Sequence, residues 1–151
     1  TRSVAALLDA TFVTGNLAAG IEIANRAAIL VLDSTIAGNA GYGLLVNTSS
    51  VSIRGATITS NESDGLHLLN QSVLSLVLSD VSSNESDGLH LEMSVASIRQ
   101  NSLLDNTGFG VFIDGASLVT GYENEISGNG TDTSENVPAE LTEPRQAGFG
   151  E

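Results

Sequence analysis

The sequence predicts an all-β solenoid of about six coils, each 22–23 residues long, and three observations carry that prediction. The stretch SNESDGLHL occurs twice, at residues 60–68 and 83–91, offset by 23 positions. An Asn recurs at Asn16, Asn39, Asn61, Asn84, Asn106 and Asn129, in steps of 23, 22, 23, 22 and 23. Four residues after each of the first five comes Gly20, Gly43, Gly65, Gly88 or Gly110. A fixed period of this length decides the architecture before any local reading does.

Each coil reads as three short strands. Ten and eight residues before the Asn lie the pairs Ala6/Leu8, Ile29/Val31, Val51/Ile53, Leu74/Leu76, Ala96/Ile98 and Val119/Gly121, the last breaking its column. Three before it lies Val13, Ile36, Ile58, Val81, Leu103 or Ile126. After each Gly come Ile21/Ile23, Leu44/Val46, Leu66/Leu68, Leu89/Leu91 and Val111/Ile113. Period 2 is the signature of a strand with alternate residues on one side. The runs are too short for helices and favour Val, Ile and Leu. One such strand cannot bury its apolar edge, but coils stacked about 4.8 Å apart bury all of them in a common core. The Gly suits a tight turn or a φ that other residues avoid. The Asn column suits a left-handed turn residue whose amides bond up and down the stack.

These Asn, Gly and aliphatic columns resemble the right-handed parallel β-helix of the pectate-lyase-like superfamily over residues 6–130. The resemblance implies three parallel sheets. A left-handed hexapeptide helix would need a coil of about 18 residues, which these steps exclude. The superfamily contains lyases, hydrolases, epimerases, adhesins and inert stalks, so it implies fold rather than activity.

At the ends the pattern weakens. The first coil, built from Ala6, Leu8, Phe12 and Val13, is expected to present an open sheet edge and an apolar disc that invite pairing. The chain starts at Thr1 without a signal peptide, which reads as a processed chain or a piece of a longer one. The domain reading is a β-helix over residues 1–130 and an acidic C-terminal tail, cap or linker over 131–151. Val137, Leu141 and Phe149 are the residues able to fold back as a cap. A solvated linker is the equal alternative.

The net charge is −13, with five Arg and no Lys. Nucleic acid and anionic membrane surfaces are therefore poor partners, whereas cations, metal ions and basic surfaces are compatible ones. There is no Cys, hence no disulfide. No apolar run approaches the roughly 20 residues that span a bilayer. Sequons at Asn47, Asn61, Asn70, Asn84 and Asn129 read as incidental products of the repeat.

In the enzymes that the chain resembles, substrate lies on the outer face of the sheet matching residues 20–23, 43–46, 65–68, 88–91 and 110–113. The outward residues there are Glu22, Leu45, His67, His90 and Phe112. The turn leading in adds Ala19, Tyr42, Asp64, Asp87 and Phe109, and beyond these Leu17, Ala40, Glu62, Glu85 and Thr107. Tyr42, Asp64, His67, Asp87, His90, Phe109 and Phe112 thus form one candidate ligand-binding surface. Carboxylates and imidazoles between aromatic platforms suit a sugar. Asp64, His67, Asp87 and His90 are also candidate metal ligands, His with Asp matching zinc and the carboxylates calcium. No other cofactor is expected. The plain alternative is a solvated strand face copied by duplication. On that view His67→Ala shifts stability by less than about 0.5 kcal/mol.

The residues lean away from catalysis. Polysaccharide lyases of this shape use Arg or Lys as base, yet Lys is missing and Arg54 and Arg99 belong to a different face. His67 and His90 occur as G-L-H-L, unlike the G-H-G of polygalacturonases, and the epimerase Y-G-x-D-P-H signature is missing. Only Asp64 and Asp87 remain as a candidate acid/base pair. The resulting expectation is a non-catalytic structural or interaction segment of an exported, extracellular or cell-surface appendage protein. Its ends would stack on another copy or on neighbouring domains. The alternative is a carbohydrate-binding or carbohydrate-active module with a polysaccharide partner.

Overall fold

The computed structural model describes residues 5–144. Five full coils carry the strands β1 (Ala5–Asp9), β2 (Phe12–Thr14), β3 (Ile21–Ile23), β4 (Ala28–Leu32), β5 (Thr35–Ala37), β6 (Leu44–Asn47), β7 (Ser50–Arg54), β8 (Thr57–Thr59), β9 (Leu66–Leu69), β10 (Val73–Val77), β11 (Asp80–Ser82), β12 (Leu89–Leu91), β13 (Val95–Arg99), β14 (Ser102–Leu104) and β15 (Phe109–Ile113). A sixth adds β16 (Leu118–Tyr122), β17 (Glu125–Ser127) and β18 (Thr131–Thr133), followed by a 3-10 turn at Ala139–Leu141. Every third strand pairs in parallel, giving three six-stranded sheets. The register follows the repeat, so Ile58 sits between Ile36 and Val81, and Val51 between Ile29 and Leu74. The aliphatic columns line the interior, from Val31 to Val119 almost without exposed surface.

The corners between sheets would strand backbone N–H groups if left apolar. Each corner carries a polar column instead. At the corner before the Gly-initiated sheet the Asn residues stack. Asn84 Oδ1 accepts from the backbone N and Nδ2 of Asn61, and Asn106 does the same for Asn84. From Asn39 onward each Nδ2 also donates to a carbonyl in the coil below, as Asn84 does to Ile58. The amide ladder was legible in the repeat, but its backbone was not. The left-handed residue is the one before each Asn: Gly15, Gly38, Ser60, Ser83, Asp105 and Gly128, with φ between 55° and 73°. The chain turns there, and the Asn that follows points inward.

The Gly column also has a different cause from the one expected. None of these five glycines has a positive φ. A Cβ on Gly43 would lie 2.9 Å from Asn61 Nδ2 and 2.8 Å from an Ile58 methyl. Space beside the amide ladder, not backbone freedom, demands Gly. Two further ladders run up the other corners. Ser49, Ser72, Ser94 and Ser117 each accept from the backbone N–H one coil below. Ser79, Asn101 and Asn124 do so at the third corner.

The broken column at Gly121 is explained by a close approach, since a Cβ there would run into the Ile98 carbonyl oxygen. Sheet pairing continues through Thr131–Thr133 against β15. Leu141 is buried in the core cluster and Val137 packs against it. Asn124 donates its backbone N–H and Nδ2 to the Leu141 carbonyl. These contacts close the C-terminal end of the stack. Phe149 lies outside the described residues. At the other end Leu8 and Val13 are half-buried, whereas Phe12 is 78% exposed and does not line the core. On a strand Phe12 and Val13 face opposite ways, and only Val13 turns inward.

Candidate functional site

The Gly-initiated sheet, β3 to β18, brings its predicted outer column into register: Glu22, Leu45, His67, His90 and Phe112 lie side by side. Tyr42 and Phe109 flank this column. Their rings form a continuous stack. Tyr42 and His67 have centroids 4.9 Å apart, His67 and His90 4.5 Å, His90 and Phe112 4.5 Å, and Phe112 and Phe109 5.3 Å. The two imidazoles are nearly parallel, 14° between planes.

The middle of this column is not the solvated strand face of the plain alternative. Asp64, His67 and Asp87 are only 4%, 7% and 8% exposed, and His90 is half-buried. The cause is a hydrogen-bond arrangement that each copy of the repeat builds for itself. Asp64 Oδ2 takes the Nδ1 proton of His67 at 2.5 Å, and Asp87 Oδ2 that of His90 at 2.7 Å. Asp64 Oδ1 accepts the backbone N–H of Asp87 at 2.9 Å, and Asp87 Oδ1 that of Phe109 at 2.7 Å. Each Asp therefore orients its own His and pins the turn of the next coil. Neighbouring rings cover both imidazole faces.

Burial pushes the Asp64 carboxyl up. The His67 hydrogen bond, with those from Ser86 and the Asp87 N–H and the nearby His67 charge, more than offsets this and holds it below the ordinary carboxylate value. Burial pushes His90 down, yet the Asp87 hydrogen bond and the charges of Asp64, Asp87 and Glu92 leave it above the ordinary imidazole value. An ionised carboxylate only accepts, so each Nδ1 carries the proton and each Nε2 points away from its Asp.

Those Nε2 atoms face a residue that sequence reasoning missed. Glu92 Oε1 lies 3.7 Å from His67 Nε2 and 3.4 Å from His90 Nε2. The signal was present. Glu92 follows His90 by two positions, hence shares its side of the strand. It is also the first residue at which the two copies differ, Leu69 standing in the other. Asp64, His67 and His90 bring one ligand atom each within 4.8 Å of one another, and Asp87 is not part of that group. Glu62 and Glu85 are exposed on the turn, and no side-chain hydrogen bond or ion pair among the described residues joins them to the dyads. Arg54 and Arg99 are exposed on another sheet, with Val77 between them.

A family model described as a right handed beta helix region matches residues 5–141. The chain belongs to the right-handed β-helix family. No curated protein and no solved structure gives a match. The candidate site thus sits on the outer face of one β-helix sheet, across the four coils from Tyr42 to Phe112. No helix among the described residues is long and apolar enough to cross a membrane.

Burial changes the outcome expected for His67→Ala. The substitution leaves a buried Asp64 oxygen without its donor and opens the ring stack. We expect a loss of about 2 kcal/mol, measured by urea denaturation. A loss under about 0.5 kcal/mol would mean that the dyad carries no structural weight.

Proposed function

We propose that this β-helix is a non-catalytic interaction segment of an exported surface or appendage protein. The observation that carries the reading is the engagement of Asp64 and Asp87, the acid/base pair that the sequence offers. Each spends one oxygen on a backbone N–H and the other on a His, and both are buried. A carboxylate so bound cannot reach a substrate proton without breaking the turn above it. The short turns leave the sheet faces open as broad, flat contact surfaces. The acidity and the lack of Cys are compatible with an extracellular setting. In this reading the edges of β1, β2 and β3, which pair on one side only among the described residues, accept the edge of a neighbouring unit. Incubation with acidic and neutral polysaccharides is expected to yield no new reducing ends or unsaturated products. Turnover that disappears in Asp64→Asn would overturn the proposal. Sedimentation velocity addresses the edge contact separately. A particle that stays monomeric at every concentration removes it.

A second reading, carbohydrate binding, is favoured by one feature. A groove of about 600 Å³ opens beside Phe109 and Phe112, bordered by Asp114, Thr131, Ser134 and Glu135. The central rings are stacked on each other and offer edges, not faces, to a sugar. The platform therefore lies at this flank. Oligosaccharide binding in a glycan array, lost in Phe112→Ala, is the expected result; an array with no hits discards the reading.

A further inference from the structure

The Nε2 atoms of the two dyads both lie at ion-pair distance from one carboxylate oxygen, Glu92 Oε1. Among the described residues neither Nε2 makes a hydrogen bond; each has only the Glu92 carboxylate beside it. We propose that His67 Nε2, His90 Nε2 and Glu92 Oε1 bind one divalent metal ion of the imidazole-preferring kind, zinc, cobalt(II) or nickel(II), with Asp64 and Asp87 as positioning residues.

The distances suit such an ion. Ligand atoms around one tetrahedral zinc, bound at about 2.0–2.1 Å, stand about 3.3 Å apart. Glu92 Oε1 already lies 3.4 Å and 3.7 Å from the two nitrogens. The imidazoles stack nearly parallel with centroids 4.5 Å apart, so their outer edges must tilt toward each other to share one ion. Two His and one Glu leave a fourth position for water, a ligand set that zinc uses widely. The outer arrangement agrees as well. A metal-bound His commonly gives its other N–H to a carboxylate, which fixes the tautomer and aims the lone pair. Asp64 and Asp87 do that for both imidazoles before any ion arrives. Nitrogen donors disfavour calcium and magnesium. A chain of net charge −13 attracts cations.

The two copies of the repeat make one site between them, not two. Only the second carries Glu two residues after its His; the first has Leu69 there. The ion would bridge β9 and β12, clamping successive coils.

The experiment is a zinc titration of tag-free, chelator-dialysed protein by calorimetry, repeated with cobalt(II) and read by visible absorption. One saturable equivalent is expected, with a cobalt spectrum of low-symmetry nitrogen and oxygen ligation. The Glu92 side chain is 45% exposed, so Glu92→Gln should fold normally and bind at least about 10-fold more weakly. His90→Ala should abolish the site. Asp87→Asn should weaken it by about 10–100-fold and alter the cobalt spectrum. Zinc binding unchanged in Glu92→Gln overturns the proposal even if His90→Ala fails to fold. Titrations without a saturable equivalent overturn it too, as does calcium competing as well as zinc.

Discussion

Ile58→Asp is expected to abolish the cooperative unfolding transition, or to lower stability by more than about 4 kcal/mol. Ile58 is fully buried in β8, between Ile36 and Val81 in the sheet. Its neighbours across the core are aliphatic, so a carboxylate there has no partner. Keeping the charge costs the desolvation of an unpaired ion, and protonating it leaves a polar group unbonded. The lost methyl groups add a packing defect. Damage in one coil also removes the template for the coils on either side, because each stacks only on its neighbours. Circular dichroism during a thermal melt reads the result. Ile58→Val, which keeps the shape, should cost about 1 kcal/mol. A wild-type melt for Ile58→Asp would mean that the interior column is not a packed core.

Asn61→Ala is expected to cost about 4 kcal/mol, far more than a surface Asn. The Asn61 Oδ1 accepts both the backbone N–H and the Nδ2 of Asn39, and its Nδ2 donates to the Ile36 carbonyl and to Asn84. Asn39 and Asn61 are both fully buried, so truncation leaves at least three groups that water cannot reach. Each such orphan costs roughly 1–3 kcal/mol, and relaxation recovers part of the sum. Asn47→Ala is the control, because the Asn47 bond to Asn70 is exposed. Equal chemical-denaturation midpoints for the two variants would show that the internal ladder adds nothing.

The fold was legible because a solenoid writes its geometry into its period. The columns at Val13 to Ile126, at Ala6 to Val119 and after each Gly became the inner faces of three sheets, in the predicted register. The Ser and Asn columns at the other two corners were equally periodic, but they escaped notice because polar residues between strands read as ordinary turns. For the site, register was legible and environment was not. That His67 and His90 are neighbours followed from the 23-residue offset. That Asp64 folds under His67 depended on a turn conformation whose signals, a left-handed Ser60 and an inward Asn61, are not specific to one side-chain direction.

By itself the sequence determined the number of strands per coil, the rise from one coil to the next and the set of side chains that stack. Repetition makes those properties local, so a single chain suffices to read them. Only the tertiary structure decided that Leu141 closes one end and that four chemically ordinary surface residues are sunk into a shared hydrogen-bonded stack. It also decided that Glu92, rather than Asp87, stands before the two outer imidazole nitrogens. Those outcomes depend on torsions and on surface covered by adjacent coils, and neither is written in any one period of the repeat.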